Sequence, residues 1–282
     1  MRPWRGAIES LRAADDYVHP LFPHQEDTGV TTVANSRFAR EGWHDGFAAQ
    51  PQWDVEWDVA VLAEYWSSGK PALAYEMPYE EFWTDGRHAL SALYEAYLSG
   101  MRGYGYGASG LWNDVYSRSG DALDAGTEYE LTVDWPIDPV ADALSHPHAP
   151  ASRHVWWHDA AVLETGDQLS LGARGLRALP WRRLTPRWED AAWADFGSDG
   201  RNFLATDEED LFVAFFADGT TRTGTLRRLD PQAGYVAEWF DPRTGSSERF
   251  AFVVASDGSC ALPPKPTADD WLLVVERVYA AS

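Results

Sequence analysis

Two hydrophobic rhythms divide this chain near residue 186, and they call for different architectures. In the first stretch, apolar residues recur every three to four positions over 7–17, 56–67, 86–99 and 168–179, which predicts helices. Val59, Leu62, Ala63 and Trp66 share one face of the second, and Leu90, Leu93, Tyr94 and Tyr97 one face of the third. Short runs at 17–22, 71–75 and 103–107 fall between them. The continuous apolar character of Pro71-Ala-Leu-Ala-Tyr75 is that of a strand buried on both faces. Strand–helix alternation predicts a parallel α/β class.

Beyond residue 186 the spacing tightens. Strands are predicted at 201–206, 211–216, 223–229, 235–240, 248–254 and 271–277. Asp218-Gly219, Thr244-Gly245 and Asp257-Gly258 supply the turns. This is the pattern of a small antiparallel β-sandwich. The expected domains are therefore 1–186 and 187–282. The segment 117–159 breaks the first rhythm with Pro136, Pro139, Pro147 and Pro150, and with His146, His148, His154 and His158. It reads as a long loop over a site.

Composition narrows the function. A net charge of −21 argues against nucleic acid, which requires a basic surface. Only Lys70 and Lys265 are lysines, a bias that fits either a salt-adapted surface or a GC-rich genome. No apolar run reaches the roughly 18 residues of a membrane span. No signal-peptide core follows Met1, so a cytoplasmic location is the default expectation. Cys260 stands alone, which excludes an internal disulfide. Fifteen Trp and twelve Tyr are many for 282 residues. Indoles stack on the C–H faces of sugar rings, so a carbohydrate partner fits this content.

The most chemically informative segment is Lys70-Pro-Ala-Leu-Ala-Tyr-Glu-Met-Pro-Tyr-Glu80. An apolar strand ends at Glu76, where the active site of a (β/α)8 barrel lies. Tyr75, Tyr79 and Trp83 surround this carboxylate in sequence, and Arg87 could pair with it. Glu80 and Glu81 read as a solvated turn pair. Glycoside hydrolysis needs two carboxyl groups, and Asp45, Asp114 and Asp134 are candidates for the second. His19, His24 and Asp45 could meet a metal, but their spacing lacks a tight ligand frame. Neither a metal nor a cofactor is expected.

The run Lys70-Pro71…Glu76-x-Pro78-Tyr79-Glu80, then Arg87, Gly103-Tyr104-x-Tyr106-Gly107 and Trp112, resembles the C-terminal barrel half of the apiosidase-like glycoside hydrolases. Upstream, His19-Pro20 and Trp43-x-Asp45…Gln50 are similar to that family's preceding strands. Downstream, Gln168 and Pro180-Trp-Arg-Arg-Leu184 are similar to its last barrel helix. Trp239-Phe-Asp-Pro-Arg-Thr-Gly245 and Asp270-Trp-Leu-Leu-Val274 resemble its companion sandwich, a module labelled collagen-binding. Nothing in the composition supports collagen recognition.

The resemblance implies a retaining glycosidase with Glu76 as nucleophile. The expected substrate contacts are His19, His24, Trp43, Asp45, Gln50, Tyr75, Tyr79, Trp83, Arg87, Tyr106 and Trp112. The family's acid/base lies on the fourth barrel strand, whereas His19-Pro20 already matches about the fifth. The expectation is thus the C-terminal part of a barrel plus a sandwich, completed by a partner chain or by self-association. The alternatives are a non-catalytic carbohydrate-binding protein, a half-barrel subunit, or a sandwich that serves as a protein-binding module.

Overall fold

The computed structural model describes residues 3–23, 38–49, 59–77, 80, 86–108, 111, 160–188, 190–197 and 201–279. Its first half is built on parallel pairing. β1 (Phe47–Ala49) and β2 (Ala72–Ala74) run parallel, with Phe47 opposite Ala72. The run 103–107 continues the sheet. Ala74 bridges Tyr104 in parallel, and Ala74 N donates to Gly103 O at 2.9 Å. On the other side, Asp45 N donates to Leu21 O at 3.0 Å, which brings the extended segment at 19–22 alongside β1. Four segments therefore lie side by side in chain order, and the helices Val59–Ser67 and Gly86–Leu98 lie in the connections between the last three.

The helices clothe this sheet. α1 spans Pro3–Ala14, ending short of the expected residue 17. The described part of the second is α2 (Val59–Ser67). α3 (Gly86–Leu98) closely follows its predicted span. α4 (Glu164–Ala178) begins four residues before the expected start, because the polar first turn hides the helical period. The two central helices, α3 and α4, meet through Gly172. A Cβ there would stand 2.6 Å from the Tyr94 hydroxyl, so only glycine lets that ring in.

The C-terminal half contains a six-stranded antiparallel sheet in the order β3-β5-β6-β11-β8-β9 and a three-stranded sheet in the order β10-β7-β4. Their ranges are β3 (Thr185–Pro186), β4 (Ala194–Asp195), β5 (Asn202–Thr206), β6 (Leu211–Phe216), β7 (Thr225–Leu226), β8 (Gly234–Phe240), β9 (Ser247–Phe250), β10 (Cys260–Ala261) and β11 (Trp271–Val278). The long runs expected at 223–229 and 248–254 shrink to two and four paired residues. The two-residue strands β3, β4 and β10 carry too little alternation to be read from sequence.

β6 explains why Leu211-Phe-Val-Ala-Phe-Phe216 is apolar throughout. Leu211, Val213 and Phe215 join the core shared with α3 and α4, while Phe212, Ala214 and Phe216 join the core between the two sheets. A period of two sends alternate side chains to opposite faces, and both faces here are covered. The central strands β5, β6 and part of β11 thus pack one face on the helical layer. Tyr94 of α3 stacks on Phe215 with centroids 5.3 Å apart.

Polar contacts fix the same seam. Arg201 forks onto buried Glu95 of α3 at 2.9 and 2.7 Å. Ser91 of α3 donates to Asp270 at 2.8 Å. On the α4 side, Gly175 lies against Phe240 and Gly245 against Leu171. Asp241-Pro-Arg-Thr-Gly245 is therefore a docking turn, internally held by Arg243 on Asp241 at 2.9 and 3.0 Å.

Candidate active site

The parallel register gives the sheet two distinct ends. At the C-terminal end, Tyr75 N donates to Ala49 O at 2.9 Å, which keeps Tyr75 aligned with the tip of β1. Glu76 follows at once, two residues past the end of β2, and is half-buried. Tyr75 is 52% exposed, and Met77 turns back into the core. A Cβ on Gly105 would stand 1.9 Å from Tyr75 O, so glycine is required where 103–107 passes the tip.

Glu80 corrects the expectation of a solvated pair. It is 6% exposed. Its backbone N–H donates to Gly107 O at 3.1 Å. Its Oε1 accepts the Thr165 hydroxyl at 2.9 Å, and its Oε2 accepts the Tyr106 hydroxyl. Thr165 lies in the first turn of α4, and Gly86 opens α3 beside the same carboxylate. The negative charge therefore sits near two helix N-termini, whose unpaired N–H groups favour an anion. The one sequence signal for Glu80 was its place in the motif after Glu76; hydrophobic periodicity gives no hint of its burial.

The N-terminal end is a different environment. Lys70 Nζ donates to His44 O at 2.7 Å and to Ala39 O at 3.0 Å, and lies 3.3 Å from His44 Nδ1. Burial, reinforced by the Lys70 charge, holds the His44 pKa below its usual value. Asp45 accepts the Leu21 N–H at 2.7 Å and Arg12 at 2.6 Å. The Leu21 hydrogen bond, with Arg12 beside it, keeps the Asp45 carboxyl below the usual range. His19 pairs with Asp15 at 2.8 Å.

The structure thus brings Tyr75, Glu76 and Tyr106 together at the tip. Asp45 and Trp43 precede β1, and His19 begins the segment aligned with them. All three lie at the opposite end of the strands, roughly 10 Å or more from the tip at 3.3 Å per residue. Arg87 starts α3 at the tip end, where its guanidinium reaches Asp218 of the sandwich half at 3.4 Å. His24, Gln50, Tyr79, Trp83, Trp112, Asp114 and Asp134, and the histidines of 117–159, lie outside the described residues. Among the described residues, no group of three or more His, Cys, Asp or Glu could hold a metal.

Known proteins agree with this architecture. Residues 193–276 match the family model described as "Putative collagen-binding domain of a collagenase". The chain is similar to a solved structure titled "Glycoside hydrolase", with 16% identity and a TM-score of 0.66, over 97% of this chain and 60% of that one. It is equally similar to a family 5 glycoside hydrolase from Bacteroides vulgatus ATCC 8482, with 16% identity and a TM-score of 0.67, over 97% of this chain and 58% of that one. No curated protein matches it in sequence. The chain spans under two thirds of either solved structure, and its parallel sheet, helices and antiparallel sheets have a glycoside hydrolase-like fold.

Proposed function

We propose that this chain carries the nucleophile side of a retaining glycoside hydrolase acting on a polysaccharide-derived glycoside, with Glu76 as the attacking carboxylate. The observation that carries the reading is the position of Glu76. It is a half-buried carboxylate just past the tip of a parallel strand, beside exposed Tyr75, in a glycoside hydrolase-like fold. Strand tips are where barrel enzymes place their chemistry. The resemblance to the apiosidase-like family rests on the same residues.

A retaining mechanism needs an acid/base about 5 Å from the nucleophile. Asp45 is at the wrong end of the sheet, and both oxygens of Glu80 accept hydroxyl hydrogen bonds. The acid/base is assigned to a further half-barrel, either a preceding part of a longer protein or a partner chain. Exposed apolar side chains support such a complement: Trp4 and Leu11 on α1, then Tyr17, Val18 and Tyr75. The sandwich is read as an accessory domain, because the central strands of its large sheet are buried against α3 and α4.

The test is Glu76→Gln in the assembled barrel. It removes turnover and leaves sugar binding intact. Retained turnover would end the assignment.

A further inference from the structure

Glu80 is a buried carboxylate that accepts hydrogen bonds from two neutral hydroxyls, and among the described residues no cation pairs with it. Burying a charge without a counter-ion is costly unless its oxygens are well bonded and the local field is favourable. Here both conditions are built in. The Tyr106 and Thr165 hydroxyls each take one oxygen, and the starts of α3 and α4 face the carboxylate. Gly86 is necessary to this arrangement. A Cβ there would lie 2.6 Å from Glu80 Oε1 and 1.9 Å from Thr165 Oγ1.

This cluster bears on Glu76 through the chain. The five-bond span from Tyr75 to Glu80 is pinned at both ends. Tyr75 N bonds Ala49 O at 2.9 Å, and Glu80 N bonds Gly107 O at 3.1 Å. The side chain of Glu80 then ties the far end to 103–107, through Tyr106, and to α4, through Thr165. We infer that Glu80 is a positioning residue for Glu76: its carboxylate, held by Tyr106 and Thr165, anchors the chain four residues beyond Glu76. This rests on the reading of Glu76 as the nucleophile, and it adds a second acidic residue that acts through the loop.

The test is amide hydrogen exchange on the chain, comparing segment 75–80 with β6 in Tyr106→Phe, Glu80→Ala and Glu80→Gln. Loss of one or two hydrogen bonds accelerates local opening by about 10-fold. Tyr106→Phe, which removes one hydroxyl and no charge, should speed exchange in 75–80 by about that factor and leave β6 unchanged. Glu80→Ala should do at least as much. Glu80→Gln keeps the size and one carbonyl acceptor, so it should restore most of the protection. In the assembled barrel, Tyr106→Phe should lower kcat with KM little changed. Equal acceleration in β6, or none in 75–80, would overturn the inference, as would Glu80→Gln behaving like Glu80→Ala. The exchange result does not depend on turnover, so it stands or falls separately from the Glu76→Gln experiment.

Discussion

The two ends of the parallel strands carry similar residue types and use them differently. At the N-terminal end, Lys70 donates to main-chain oxygens at 39 and 44, and Asp45 is held by Arg12 and the Leu21 N–H. Those charges hold backbone. At the C-terminal end, Glu76 is half-buried beside exposed Tyr75, and Glu80 is buried and accepts the Tyr106 and Thr165 hydroxyls. On the proposed role of Glu76, position along the strand, rather than residue type, separates scaffold from chemistry. The seam with the sandwich belongs with the scaffold, since Glu95 and Asp270 bind partners across it.

The comparison predicts opposite signatures for tip and scaffold variants. The largest effect is expected at the tip. Glu76→Gln should cut turnover of the assembled enzyme on the order of 10³-fold or more, as loss of a nucleophile does. Its unfolding free energy should stay within about 0.5 kcal/mol of the parent, the range of substitutions away from the core. A large loss of stability would mean that the tip is scaffold too.

Arg201→Ala should do the reverse. It leaves buried Glu95 without its fork, at a cost of about 3 kcal/mol in denaturant unfolding. Glycosidase chemistry per folded molecule should be unaffected.

Asp270 provides a pH signature of the same seam. Burial raises its pKa from 3.8 to about 6, and the Asp218 charge adds to this. Below about pH 4 the carboxyl is protonated in both folded and unfolded chains. Between about 4 and 6 only the folded chain holds the proton, and above about 6 the folded chain carries a buried charge. The stabilisation from the neutral form is therefore complete below pH 4 and lost as pH rises through 6, on the order of 2 to 3 kcal/mol. Asp270→Asn keeps an acceptor for the Asp218 N–H and should flatten this slope. An unchanged slope would remove Asp270 as its source.

The smallest scaffold effect is at the N-terminal end. Lys70→Met strands the carbonyls of Ala39 and His44 and should cost about 2 kcal/mol by chemical denaturation, with sugar binding retained. If binding were lost instead, the contrast between the two ends would fail.

The same contrast explains what could be read in advance. β2, α3 and β6 follow period and composition closely, because their apolar residues are also their buried ones. The strand-tip position of Glu76 was legible because a strand of small apolar residues stops abruptly at a carboxylate. Asp45 and Trp43 were grouped with it because a sequence gives residue order but not which end of a strand a residue occupies; Asp45 precedes β1, whereas Glu76 follows β2. Glu80 was misjudged because its burial arises from Thr165, 85 residues away, and from Tyr106, 26 away. The double burial of β6 is likewise set by α3 and α4, which the period of its own strand does not name.

The central claim is that Glu76 forms a covalent bond to the sugar. The direct test is to trap the glycosyl-enzyme of the assembled barrel with a slow, activated substrate analogue and map the modified peptide by mass spectrometry. The account predicts a single glycosyl adduct on Glu76, absent in Glu76→Gln. Steady turnover with no adduct, or an adduct on another carboxylate, would contradict it.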